Sequence, residues 1–278
     1  MPLEVTLAVL GAALAHATWN AMIKSSRDVL LDMTTVILAA GIVATPLLLL
    51  VAQPERAAWP YLAASTVLHV GYYVALVSAY RAGDLSHGYP IMRGVAPLIV
   101  SLCALLWLRE APSAMEWVGV LLICGGVLSL GLAGFHWRDS RVSTLWALTN
   151  AVIIAGYTLV DAVGIRVSGS PAGYVLWLFV LDALPFPLVV LYLKKNELLV
   201  YAGKYWLRGV VGGVLSGGAY GVALWAMTRA PVAAVAALRE TSVIFAALIG
   251  AWLLKEGHLA RRLAGAATVA AGVIALKI

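Results

Sequence analysis

Charged side chains are scarce in this chain of 278 residues: Asp, Glu, Lys and Arg make up 12% of it, against 63% hydrophobic residues. Soluble domains carry about 25% charged residues, so the composition speaks against a water-soluble fold and for a membrane protein. Long polar stretches are missing as well. The joints between apolar runs are short (KSSRD, QPERAA, RAGDLS, REAPS, HWRDSR, SGSPA, KEGH), and the longest is KKNELLVYAGKY, so no soluble domain is left over. Cysteine is nearly absent. Cys103 and Cys124 both lie inside apolar runs, which excludes a disulfide framework and gives no metal site. No cofactor is expected. The net charge is +6, yet there is no basic run, so nucleic acid is not an expected partner. Lys and Arg sit mostly between apolar segments, where they set topology and meet lipid headgroups. The N-terminal run lacks a basic n-region and continues past Ala15-His16-Ala17, so it reads as a retained first helix.

Ten apolar runs can be marked: 3–23, 32–52, 59–81, 87–108, 114–135, 142–165, 171–193, 207–228, 231–254 and 260–277. Each is long enough to cross a bilayer, and in hydrocarbon its backbone groups must be satisfied internally, which predicts helices. The runs are continuous rather than alternating, which argues against a barrel. Of the basic residues, twelve fall in joints after odd-numbered helices and five on the opposite side, with Arg93 and Arg239 inside helices. That asymmetry predicts cytoplasmic odd-numbered joints and both termini outside.

Residues 93–130 can be laid on 239–276 without a gap. Arg93 then meets Arg239, WLRE (107–110) meets LLKE (253–256), Gly119 meets Gly265, and Gly126 meets Gly272. The unit is five helices, expected over 1–135 and again over 136–278. An odd-helix unit duplicated in tandem inserts in opposite orientations, with a substrate site near the midplane between the halves. The expected fold is an all-α polytopic membrane protein: ten transmembrane helices as two inverted five-helix repeats around a central cavity.

An apolar helix ending in WLREAPSAMEWVGVLLICGGVLSLG, repeated as WLLKEGHLARRLAGAATVAAGVIAL, resembles the paired EamA domains of the drug/metabolite transporter superfamily. In that family an (L/G)-x-E signature closes helices 4 and 9, carried in this chain by Glu110 and Glu256. The length and the stretch HATWNAMIK also resemble the YddG-type amino-acid exporters. The resemblance implies alternating access around a cavity lined by helices 1, 3, 4, 6, 8 and 9, without an ATPase. It also implies cytoplasmic termini, against the charge count. In agreement, no G-x-x-x-x-G-K-[ST] pattern is present.

Ionisable groups inside a bilayer cost roughly 2.5–3.5 kcal/mol or more at a helix centre, and persist where they face a cavity or a partner. Arg239 lies eight residues beyond Pro231, about 12 Å along the axis. An arginine there suits a carboxylate through a bidentate fork, or an acid such as Glu240 or Asp161 that ties helices together. Arg239 and Glu240 are chain neighbours and point about 100° apart, so each needs its own partner. Arg93 is the repeat counterpart of Arg239, whereas the match of Glu240 is Gly94. Asp161 suits an ammonium group, a proton, or a helix-to-helix hydrogen bond. His16, Trp19 and Asn20, at i, i+3 and i+4, share a face of helix 1. Tyr72, Tyr73, Tyr157 and Tyr220 lie too deep for an interfacial belt and suit stacking. His69 reads as a satisfied histidine, Asp182 as a bend cap before Pro185 and Pro187, and Tyr80, Tyr89 and Trp225 as belt residues.

The expected function is secondary export of small metabolites, amino acids including aromatic ones, by a monomer of the plasma membrane. A cationic drug/proton antiporter is the first alternative, weakened because helix 1 carries only Glu4, at its edge. A phosphorylated-metabolite exchanger is kept open by the paired Arg93 and Arg239. A membrane enzyme would need acidic or histidine-rich loops, and the joints hold only scattered acids.

Overall fold

The structure, a computed structural model, describes residues 1–82, 85–131, 141–246 and 259–276. These residues are helical, with no strand among them. The helices are α1 (Leu3–Lys24), α2 (Val29–Leu47), α3 (Trp59–Ala82), α4 (Leu85–Trp107), α5 (Ala114–Gly131), α6 (Arg141–Arg166), α7 (Pro171–Asp182), α8 (Pro185–Met227), α9 (Val232–Arg239) and α10 (Leu259–Ala275). Among the described residues, six helical stretches are long and apolar enough to cross a membrane: Leu3–Ile23, Val29–Leu50, Arg56–Ala79, Gly88–Trp107, Arg141–Arg166 and Pro171–Met227.

Local chemistry starts the helices where the polar joints end. Asp28 accepts from the amides of Leu30 and Leu31 at the start of α2. Ser113 and Glu116 form a reciprocal capping box ahead of α5. Ser170 caps α7, with Pro171 in the first turn. The outward faces stay apolar: Leu49, Val67 and Trp107 are 88%, 72% and 74% exposed. Such a surface is stable against hydrocarbon and unstable in water.

The segment expected as one helix over 171–193 differs from that expectation. It breaks at Ala183–Leu184, where Pro185 and Pro187 remove amide donors. The joint KKNELLVYAGKY is not an open loop. It continues as helix, bent at Lys194 and Tyr205 where the backbone leaves helical angles. The chain then doubles back. Gly217 lies against Phe179 and Gly221 against Val175, so the last part of α8 runs antiparallel to α7. On its other side Gly209, Gly212 and Gly213 meet Thr35, Val36 and Ala40 of α2, approaches that a Cβ would obstruct.

The apolar run expected as one helix over 231–254 also differs. The α-helix stops at Arg239, a turn covers Glu240 and Thr241, and helix resumes at 242–246. The amides of Glu240, Thr241, Val243 and Ile244 bond three residues back rather than four. This tightened step in the middle of an apolar run is the kind of departure found at functional hinges. Glu256 lies outside the described residues.

At the other side of the bundle α5 packs against α10 through glycine. A Cβ on Gly119 would stand 2.9 Å from the Gly272 carbonyl oxygen, and one on Gly126 would stand 3.0 Å from that of Gly265. The contacts pair rising with falling numbers, so the two helices are antiparallel.

Candidate functional site

α4 and α9, which pack against each other, each carry an arginine into the bundle. Arg93, 6% exposed, brings its Nε to 2.8 Å from Oε2 of Glu240, which is 4% exposed. The approach is off the N–H direction, so neither atom completes a hydrogen bond, and Arg93 Nη2 has no partner. The hydroxyls of Tyr89 and Ser242 and Oδ1 of Asn150 are buried without hydrogen-bond partners as well. Tyr89, expected in an interfacial belt, thus carries a buried hydroxyl. Asn150 donates from Nδ2 to Met92 Sδ at 3.2 Å.

Arg239 is placed differently from Arg93. The helix break at Glu240 turns the two neighbours apart, so Glu240 meets Arg93 while Arg239 does not. The Arg239 guanidinium sits 5.0 Å from the centre of the Tyr220 ring, a cation–π contact. Among the described residues, no carboxylate lies within ion-pair distance of it. It lines a crevice too tight to admit a water molecule, with Ala12, Ala13 and His16 of α1 and Ala219 of α8.

Tyr220 leads from Arg239 to Asp161. Its hydroxyl donates to Asp161 Oδ2 at 2.5 Å, and the Tyr174 hydroxyl donates to Oδ1 at 2.8 Å. Gly164, one turn beyond Asp161, makes room for this: a Cβ there would overlap the Tyr174 hydroxyl. Aromatic rings then surround His69. Tyr157 stacks on it with centroids 4.3 Å apart, and Tyr72, Tyr73 and Tyr220 stand 6.4, 6.3 and 5.9 Å away. His69 Nδ1 faces the Ser65 carbonyl at 2.9 Å and Asp182 Oδ2 at 3.6 Å.

The structure therefore brings Tyr72, Tyr73, Tyr157, Asp161, Tyr220 and Arg239 into one continuous cluster, with Arg93 and Glu240 paired in the same bundle. The helix 1 stripe separates. His16 reaches the Arg239 crevice, but Trp19 donates to His16 Nδ1 and is buried with Ile23 and Val36. Asn20 donates to the carbonyl of His16 on its own helix. The sequence reading did not single out Tyr174, and it took His69 as a satisfied histidine and Asp182 as a bend cap; the structure gathers all three around the same cluster. The available signals were Ser65 one turn before His69 and the break after Asp182. Among the described residues, no group of His, Cys, Asp and Glu is arranged to hold a metal.

A second polar system closes one end of the bundle. Glu110 pairs with Arg166 Nη1 at 2.7 Å through one oxygen, and accepts from the amide of Val232 at 2.8 Å through the other. Arg166 Nε donates to the carbonyl of Met227 at 2.9 Å. The acid thus caps the start of α9 and the base the end of α8, each with the favourable dipole sign. At the opposite end Arg208 holds Asp32 at 3.2 Å, and also donates to Ser25 and to the carbonyl of Met22.

The sequence profile of the EamA-like transporter family matches residues 4–132 and again 142–277. The chain belongs to the EamA-like transporter family. It is a multi-pass membrane protein, and the members of its family are transporters, not enzymes. No curated protein sequence matches it. A solved crystal structure superposes on this EamA-like chain with a TM-score of 0.80, at 19% identity, over 99% of this chain and 96% of the other. At that identity the likeness establishes a shared fold.

Proposed function

We propose that this EamA-like chain is a secondary active exporter of amino acids, aromatic ones among them, working by alternating access. Arg239 carries the proposal. It is a cation inside the bundle that lines a tight crevice and, among the described residues, has no carboxylate within ion-pair distance. A guanidinium left so is matched by a carboxylate from outside the protein. Tyr220 joins it to Asp161, so the two signs of a zwitterion are offered at the face and at the hydroxyl of one ring, with the His69 and Tyr157 rings alongside. The likeness to amino-acid exporters in HATWNAMIK points the same way. A phosphate exchanger, which would use both arginines, is disfavoured because Arg93 is taken up by Glu240.

Ten transmembrane helices in two inverted repeats are part of the same reading. Under the repeat, Gly119 corresponds to Gly265 and Gly126 to Gly272. The contact of Gly119 with Gly272 therefore maps onto the contact of Gly265 with Gly126. A contact set that exchanges with itself in this way is the signature of a two-fold axis. For antiparallel helices that axis lies across the bundle, as an inverted repeat requires. The α7–α8 hairpin supplies two of the ten crossings.

The test is uptake by the purified protein in liposomes loaded with unlabelled solute, over a panel of amino acids, their decarboxylated amines and sugar phosphates. Saturable exchange is expected for amino acids and not for the amines. Exchange of sugar phosphates alone would overturn the reading.

A further inference from the structure

The cluster around His69 holds two carboxylates that the packing treats differently. Asp161 is fully buried, and each of its oxygens accepts a phenol hydrogen, from Tyr174 at 2.8 Å and from Tyr220 at 2.5 Å. That donor set satisfies an ionised carboxylate, which only accepts. Asp182, 4% exposed, has no such donors: Oδ1 lacks a hydrogen-bond partner, and Oδ2 stands 3.6 Å from His69 Nδ1. The Thr66 hydroxyl is also buried without a hydrogen-bond partner. His69 Nδ1 lies 2.9 Å from the Ser65 carbonyl, which can only accept, so this nitrogen is assigned a hydrogen.

A buried carboxyl whose neighbouring Thr66 hydroxyl completes no well-aligned hydrogen bond to it, with no Lys or Arg in ion-pair range among the described residues, is more stable neutral than as an anion. Asp182 also lines a crevice of ≈ 40 Å³, room for a water or two, between α2, α3, α7 and α8, beside Tyr73, Phe179, Ser216 and Gly217. Water in that crevice can deliver and remove a proton at the free oxygen.

We propose that Asp182, with His69 beside it, is a proton-binding site separate from Arg239, and that its proton is the coupling ion of transport. Loading forms one O–H bond on Asp182 and breaks one in a hydronium ion, which leaves as water. The Nδ1–H of His69, 3.6 Å from Oδ2, steadies the anion once the proton has gone. The titratable groups facing this pair are Tyr72 and Tyr73 of α3, Tyr157 and Asp161 of α6, Tyr174 of α7 and Tyr220 of α8. Arg239 of α9 stands on the far side of Tyr220, and Arg93 of α4 is neutralised by Glu240. From α2 only Val36, Ile37 and Ala40 reach the crevice. Among the described residues, no Lys or Arg lies within ion-pair distance of Asp182 or Asp161. Proton binding itself needs no substrate; only its use in coupling rests on the exporter reading.

The test is an infrared pH titration of the full-length protein in liposomes, without solute, reading the C=O stretch of protonated carboxyl groups. The wild type is expected to lose a carboxyl band as pH rises, and Asp182→Asn to lack that band from the start. His69→Gln keeps the carboxyl and is expected to shift the midpoint by roughly one pH unit or more. An unchanged band in Asp182→Asn, or an unmoved midpoint in His69→Gln, overturns the proposal. Solute accumulation against an imposed pH gradient then tests coupling: it is expected in the wild type and absent in Asp182→Asn. If no solute is carried by any form while the band behaves as expected, the exporter reading fails and the proton site stands.

Discussion

Arg93 and Glu240 are each buried and each depends on the other for counter-charge. Removing one leaves the other ionised in a low dielectric, which costs about 3–5 kcal/mol. Replacing both by apolar side chains of similar volume removes the uncompensated charge. Arg93→Met and Glu240→Leu singly are therefore expected to lower thermal stability in detergent far more than the double variant does. Equal or additive losses would mean that the two residues do not interact. The sequence marked both residues but not their union. Glu240 has Gly94 as its repeat match, so self-comparison offered it no partner, and the pairing follows from how α4 crosses α9. His69 and Asp182 were legible only as separate polar residues, because what joins them is the meeting of α3 with the end of α7.

Among the elements, the α5–α10 contact makes adjacent glycines inequivalent. A Cβ on Gly126 would come within 2.8 Å of Val269 Cγ2 and 3.0 Å of the Gly265 carbonyl oxygen, whereas one on Gly125 meets nothing within 4 Å. Gly126→Ala is expected to destabilise by about 1–3 kcal/mol through overpacking. Gly125→Ala is expected to be neutral or to gain up to about 1 kcal/mol from helix propensity. Thermal unfolding of the two variants checks this, and similar melting would contradict the packing. The glycines and apolar runs were readable from sequence because bilayer and helix geometry constrain them directly. The break at Ala183–Leu184 was readable from Pro185 and Pro187; the stop at Arg239 and the helical course of KKNELLVYAGKY, kinked at Lys194 and Tyr205, were not. Apolar residues continue on both sides of that stop, and tertiary packing overrides local polarity in that joint.

For the whole molecule, the charge asymmetry and the family resemblance make opposite statements about orientation. The charge count predicts that the joint between α1 and α2 is cytoplasmic. Ser25 is exposed there, so Ser25→Cys is expected to resist an impermeant thiol reagent added to intact cells and to react once the membrane is opened. Labelling in intact cells would reverse the assignment. The EamA-like family gives the activity at the coarsest level, transport. The proposed solute chemistry rests on one cation, Arg239, with no carboxylate within ion-pair distance among the described residues. The most direct measurement is counterflow of a labelled aromatic amino acid into liposomes by the wild type and by Arg239→Ala. Losing a charge-assisted contact of about 1.5–3 kcal/mol predicts a loss of roughly ten-fold or more in the variant, while its thermal stability holds. Equal uptake by both proteins would contradict the account.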